Sequence, residues 1–174
     1  VVREYLHPGI QRVVELGGGA GLNLFNLWLE GAPSSAAYHL LDLSKTGLAV
    51  GDRISRLTGL TGFHIQPFNF YEPEFHFTDN VPTVVLTHYS IEQIPKISGY
   101  LFEAIMEIPG FETCIHIEPV GFQMPNDDAM PDEQKRLFTA LDKFNREWVE
   151  SVDFNRNLHE VLCDLEARDV IEIT

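Results

Sequence analysis

The chain has 174 residues, 44% hydrophobic and 22% charged, which suits one globular domain with a buried core and excludes a disordered or fibrous polypeptide. Twenty-six acids oppose twelve bases for a formal net charge of −14, which argues against nucleic acid or an anionic membrane as a partner, because such a surface gains nothing from counterion release. No apolar run approaches the roughly 20 residues that cross a bilayer, and no secretory pattern opens the sequence, so a cytoplasmic location is expected.

The predicted elements alternate between strand and helix, which implies a largely parallel sheet with helices on both faces. Residues 11–16 form a short apolar run closed by glycines and are predicted as the first strand. Residues 22–30 follow as a helix, with Leu24, Leu27 and Trp28 inward, Asn23, Asn26 and Glu30 toward water, and Gly31 as its stop. Residues 36–43 are the second strand. The helix over 44–57 carries Val50, Ile54 and Leu57 as its expected inward stripe and ends at Gly59.

Residues 63–68 are the third strand and 83–88 the fourth, whose Val84, Val85 and Leu86 suit a central parallel position. Leu101, Ala104, Ile105 and Ile108 give the next helix its apolar face, and 111–118 is the fifth strand. Three prolines break residues 119–131 into a loop. A helical region is expected from 132 to 168, interrupted near Asp153, with Leu137, Ala140, Leu141 and Phe144 inward in its first half. Leu158, Val161, Leu162 and Leu165 do the same in its second half, and 170–174 begins a sixth strand. The chain opens at Val1 and stops inside this strand, so a fragment of a longer protein is expected. Cys114, in a buried strand, and Cys163, on the apolar side of a helix, are expected to be reduced core thiols.

The most informative segment is the run Glu15-Leu16-Gly17-Gly18-Gly19-Ala20-Gly21 between the first strand and first helix. Glycines there let the backbone turn sharply and let a ligand lie against main-chain amides at the helix start. Asp42 ends the second strand at about the 20-residue interval where nucleotide-binding folds put a carboxylate on ribose hydroxyls. A helix cap or a solvated loop acid are the plainer roles open to Asp42.

That run resembles motif I of class I S-adenosylmethionine-dependent methyltransferases. The resemblance covers the chain from Val13 to about Thr174, and the tail from Asn155 faintly resembles bacterial methyltransferases acting on sugars or natural products. It implies a doubly wound, mostly parallel Rossmann-like α/β fold, a single domain over 1–174 with strand order 3-2-1-4-5. The sixth strand follows at the C-terminus, with part of the terminal hairpin lacking. The cofactor implied is S-adenosylmethionine, and the reaction is methyl transfer to a small molecule.

Position by position, the resemblance implies that Glu15 and the backbone of Gly17, Gly18, Gly19 and Gly21 surround the methionine part. Asp42 would hold the ribose and Leu43 would lie against the adenine. Asn69 and Phe70 fall where the family has an acid for the adenine amino group, and the Asn69 side-chain oxygen can still accept that bond. Nicotinamide oxidoreductases fit less well, since Leu22 stands where their pattern wants a third glycine. A non-catalytic cofactor-binding or scaffold domain is the other alternative.

Methyl transfer to a hydroxyl, the O-methyltransferase reading, benefits from a base. His88, at the ligand edge of a central strand, is the first candidate, with Glu92 four residues on to orient it on a helical turn. His88 can instead cap the strand or meet the cofactor's methionine portion. His116 and Glu118 alternate on the fifth strand near the reacting edge, and Glu118 is a further catalytic candidate beside His88 and Glu92. With His88 they could hold a metal, but more simply they satisfy one another, and no metal is expected. Residues 124–130 are either an acceptor lid or an ordinary connection.

Overall fold

A computed structural model describes residues 2–118 and 158–168. The expected loop, the lid, the first half of the long helix and the sixth strand lie outside the described residues. The chain divides into two compact units, Val1–Ser90 with Tyr100–Glu118, and Ile91–Gly99 with Pro119–Thr174.

In the first unit, a short helix α1 (Val2–Tyr5) leads into β1 (Arg12–Leu16), α2 (Leu22–Leu29), β2 (Ala37–Asp42) and α3 (Lys45–Thr58). Then come β3 (Phe63–Pro67), β4 (Thr83–His88), α4 (Tyr100–Met106) and β5 (Phe111–Ile117). Every strand pair is parallel and the order is β3-β2-β1-β4-β5, the doubly wound arrangement expected from the alternating pattern. The central strands are apolar on both faces because each face is covered: β1 is buried at all five positions, and β4 at all but its last.

One face packs Val13, Tyr38, Leu40, Val84 and Leu86 against Leu24 and Phe25 of α2 and Leu48 of α3. Phe25 stacks on Phe63 with ring centroids 4.9 Å apart. Leu27 and Trp28 join this core as expected, half-buried, and Phe25 is a core residue that the helical pattern did not single out. On the opposite face α4 buries Leu101, Phe102, Ala104 and Ile105, with Phe102 edge-on to His116 of β5.

The inward stripe of α3 differs from expectation. Val50 and Leu57 are exposed, at 44% and 77%, and only Ile54 of the predicted stripe packs on the core. The buried positions are Leu48, Gly51 and Ser55. Close approach is the reason: a Cβ on Gly47 would lie 2.6 Å from the Gly19 carbonyl oxygen, and one on Gly51 2.8 Å from Leu40. Small residues, not bulky ones, let α3 settle onto the glycine turn.

No helix connects β3 to β4. The segment from Phe68 to Asp79 turns through Asn69–Glu72, where an isolated antiparallel bridge forms, and then continues without regular structure as a strap held by aromatic contacts. Phe75 stacks on Phe68 and on Phe77, while Phe77 stands edge-on to His39, which stacks on His64 in the neighbouring strand. At the amino end of the sheet, Arg12 is 2% exposed yet fully engaged. Its guanidinium donates to Thr83 Oγ1, Pro109 O, Asp79 O and the Asp79 carboxylate, and lies 4.3 Å from the Phe77 ring centroid.

The second unit contains a 3-10 turn (Ile91–Gln93) and α5 (Leu158–Ala167). Leu158 and Leu165 are buried and Val161 and Leu162 half-buried, as their spacing predicts. Cys163 departs from expectation: it is exposed, because it falls outside the arc those four residues define. No helix among the described residues is long and apolar enough to cross a membrane.

Candidate functional site

The order of the strands reverses between β1 and β4, and ligands of open α/β sheets bind at the carboxyl ends beside such a reversal. The glycine turn lies there. Leu16 pairs with Leu41 and Thr87, and the Gly17 amide donates to the Leu41 carbonyl at 2.7 Å, which sets the turn beside the end of β2. Gly17, Gly19 and Gly21 take positive φ, +71°, +58° and +75°, a backbone that glycine adopts without strain.

Glu15 lies beneath this turn, fully buried. Asn23 donates to Glu15 Oε1 at 2.6 Å, so Asn23 is part of the site and not merely a water-facing residue of α2. Glu15 Oε2 has no hydrogen-bond partner among the described residues. Burial pushes the Glu15 pKa up to about 7, against the Asn23 bond and a backbone bond from Leu24 that favour the charge, with Asp42 adding to the rise. A Cβ on Gly18 would stand 2.5 Å from the Glu15 carboxyl carbon, so glycine is what lets the turn lie over the acid.

Asp42 is 9% exposed and faces the same turn. Its Oδ2 accepts from the Gly19 amide at 2.7 Å and its Oδ1 from the Ser44 amide at 2.6 Å. Ser44 is the residue that caps α3, so Asp42 is not the cap. Each Asp42 oxygen holds one amide and keeps acceptor capacity for a hydroxyl. Leu43 beside it is 72% exposed.

Asn69 and Phe70 follow β3. Asn69 Oδ1 accepts from the Tyr71 amide at 3.1 Å, and Phe70 sits edge-on to Phe68. A Cβ on Gly17 would meet the Phe70 ring at 3.0 Å and Ser90 Cβ at 2.6 Å, so both residues pack directly on the turn. Glu15, the glycines, Asp42 and Phe70 are therefore brought together.

The residues expected to do chemistry are distributed differently. His88 ends β4, half-buried, with its imidazole edge-on to Tyr89 at 4.7 Å. Tyr89 takes φ +52°, so His88 and Glu92 do not share a helical turn, and that turn was the basis expected for their pairing. Glu92 belongs to the 3-10 turn of the second unit. The Glu118 carboxylate accepts from the Ser90 amide at 3.1 and 3.2 Å, and its Oε1 lies 3.4 Å from Ser90 Oγ.

His116 shares a hydrogen bond with Thr87 Oγ1 at 2.9 Å, and burial pushes its pKa down to about 4, which keeps it neutral. The Cys114 thiol lies 4.0 Å from the same ring nitrogen, and burial pushes its pKa up. No cluster of three or more metal-ligating side chains occurs among the described residues.

Ser90 was not singled out as a site residue, and Tyr89 was expected only as part of the rim at the end of the fourth strand. Ser90 is a small polar residue in a loop and leaves no pattern. A tyrosine in left-handed backbone is visible only in three dimensions.

The sheet order, with a glycine turn after the first strand and an acid ending the second, defines a doubly wound Rossmann-like fold. Among solved structures the chain is similar to the YcgJ protein of Bacillus subtilis, with a TM-score of 0.60 at 15% identity over 91% of this chain and 61% of that one. It is similar also to a SAM-dependent methyltransferase from Aquifex aeolicus, with a TM-score of 0.53 at 14% identity over 76% of this chain and 69% of that one. A third is coclaurine N-methyltransferase bound to N-methylheliamine and S-adenosylhomocysteine, with a TM-score of 0.50 at 18% identity over 61% of this chain and 29% of that one. The chain thus spans about three-fifths of YcgJ and under a third of the N-methyltransferase. At these identities the likeness is one of fold. No protein-family model and no curated protein matches the sequence.

Proposed function

We propose that this chain binds S-adenosylmethionine and transfers its methyl group to a hydroxyl of a small-molecule acceptor. The observation that carries the reading is the buried Glu15 carboxylate under the glycine turn, with one oxygen unpartnered among the described residues, beside Asp42 with spare acceptor capacity. An ammonium group satisfies the first and a vicinal diol the second, and S-adenosylmethionine carries both.

The cofactor supplies an activated methyl on a sulfonium that is its own leaving group, so the protein's work is alignment. Glu15 neutralises the ammonium, and the Gly17 to Gly21 backbone leaves room for the methionine part. Asp42 accepts from the ribose hydroxyls, Leu43 covers the adenine, and Asn69 accepts from the adenine amino group beside Phe70. His88 takes the proton from the acceptor hydroxyl. The cytoplasm is the proposed location. The surplus of acid favours a neutral or cationic small acceptor over a nucleic acid.

Titration calorimetry with S-adenosylhomocysteine tests the reading. The native chain is expected to bind and Asp42→Ala to bind at least tenfold more weakly, in line with loss of charged hydrogen bonds. No heat with a folded native chain, together with binding of a reduced nicotinamide dinucleotide, would return the fold to the oxidoreductases.

A further inference from the structure

Three strand ends meet at Ser90. Its hydroxyl donates to the Leu16 carbonyl at 3.0 Å, at the end of β1, and approaches Glu118 Oε1 at 3.4 Å, just past β5. Its amide donates to both Glu118 oxygens, at 3.1 and 3.2 Å, and the Tyr89 amide donates to the Ile117 carbonyl at 3.0 Å. Ser90 is 6% exposed, and its Cβ stands against the open face of Gly17. Between these bonds lies Tyr89, the one non-glycine residue of positive φ among the described residues, with its side chain half in water and edge-on to His88. A tyrosine takes left-handed backbone only where its surroundings over-determine it, and such strain gathers at functional sites.

We propose that Ser90 and Glu118 are positioning residues that clasp the ends of β1, β4 and β5. The clasp holds the Gly17 turn on one side and Tyr89, with His88, on the other. Glu118 then acts through Ser90, not as a base. Resting on the methyltransferase reading, this makes Tyr89 the residue that lines the acceptor side of the site next to His88. Charge also favours the arrangement, since an ionised carboxylate is a stronger acceptor for the Ser90 amide than a neutral oxygen.

The test uses the full chain and two readouts. By NMR, amide hydrogen exchange at Ser90 is expected to quicken about tenfold or more in Glu118→Ala, while Val84 and Val85 within β4 keep native protection. Glu118→Gln, whose amide oxygen still accepts, is expected to restore slow exchange at Ser90. By calorimetry, Ser90→Ala and Glu118→Ala each weaken S-adenosylhomocysteine binding by about fivefold, and the double variant is no weaker than either alone, because one network is lost once.

Unchanged Ser90 exchange in Glu118→Ala would overturn the clasp. Quickened exchange with unaltered ligand affinity would leave the network structural and overturn the positioning role. Absence of binding by the native chain would refute the methyltransferase reading, and the exchange data would still decide whether the clasp exists.

Discussion

Glu15 makes a sharp test because its environment opposes its charge. Its pKa rises from 4.5 to about 7 in the folded chain, a shift of about 2.5 units, which at 1.36 kcal/mol per unit is about 3 kcal/mol. The folded state therefore holds a proton that the unfolded state has already released. Stability falls as pH climbs past 4.5, and the loss is complete just above pH 7.

Glu15→Gln removes the titration while keeping an oxygen for the Asn23 bond. Urea unfolding of both proteins between pH 5 and 8 is the assay. The two are expected to be similar in stability near pH 5, with the glutamine variant ahead by about 3 kcal/mol at pH 8. Two stability curves that stay parallel across this range would show that Glu15 is not desolvated in this way. If an ammonium pairs with Glu15, binding S-adenosylhomocysteine at pH 7 releases roughly half a proton, seen as a dependence of the calorimetric heat on buffer ionisation enthalpy. Glu15→Gln abolishes that release.

Other outcomes follow from the same geometry. Gly47→Ala drives a methyl group into the Gly19 carbonyl and is expected to cost about 1–3 kcal/mol by thermal unfolding, with weaker S-adenosylhomocysteine binding. Tyr89→Gly relieves left-handed strain and is expected to gain about 1 kcal/mol in urea unfolding while turnover on any accepted substrate drops. Arg12→Met leaves the Thr83 hydroxyl and the Pro109 carbonyl without their donor while Asp79 returns to water, and a loss of about 1–3 kcal/mol is expected in the same assay with ligand affinity little changed. Leu57→Ser, on an exposed position of α3, should move stability by no more than about 0.5 kcal/mol.

Much of the fold could be foreseen because parallel strands buried on both faces are unbroken apolar runs, and their ends are marked by glycine and acid. β1, β2 and β4 lie within a residue or two of their expected bounds, and Glu15, Gly17 and Asp42 meet as the spacing implies. Contacts that depend on smallness or distance were hidden. The buried stripe of α3, Leu48, Gly51 and Ser55, was missed because two of its three residues carry no hydrophobicity to count. The burial of Arg12 leaves no local signal, since its partners Asp79, Thr83 and Pro109 are remote in sequence. The Ser90 bonds to Leu16 and Glu118 join residues 74 and 28 positions apart, beyond the reach of any periodic pattern.

The aromatic strap between β3 and β4 has a bearing on how such a chain can diverge. One stretch of backbone is tethered at its far end by Asp79 on Arg12, and at its near end it lays Phe70 on Gly17. Residues can be exchanged along it, but its length is set by the span between those two moorings. Insertions tolerated in an ordinary surface loop would here let Phe70 drift, so lineages that lengthen this crossover would have to rebuild its packing on the glycine turn at the same time.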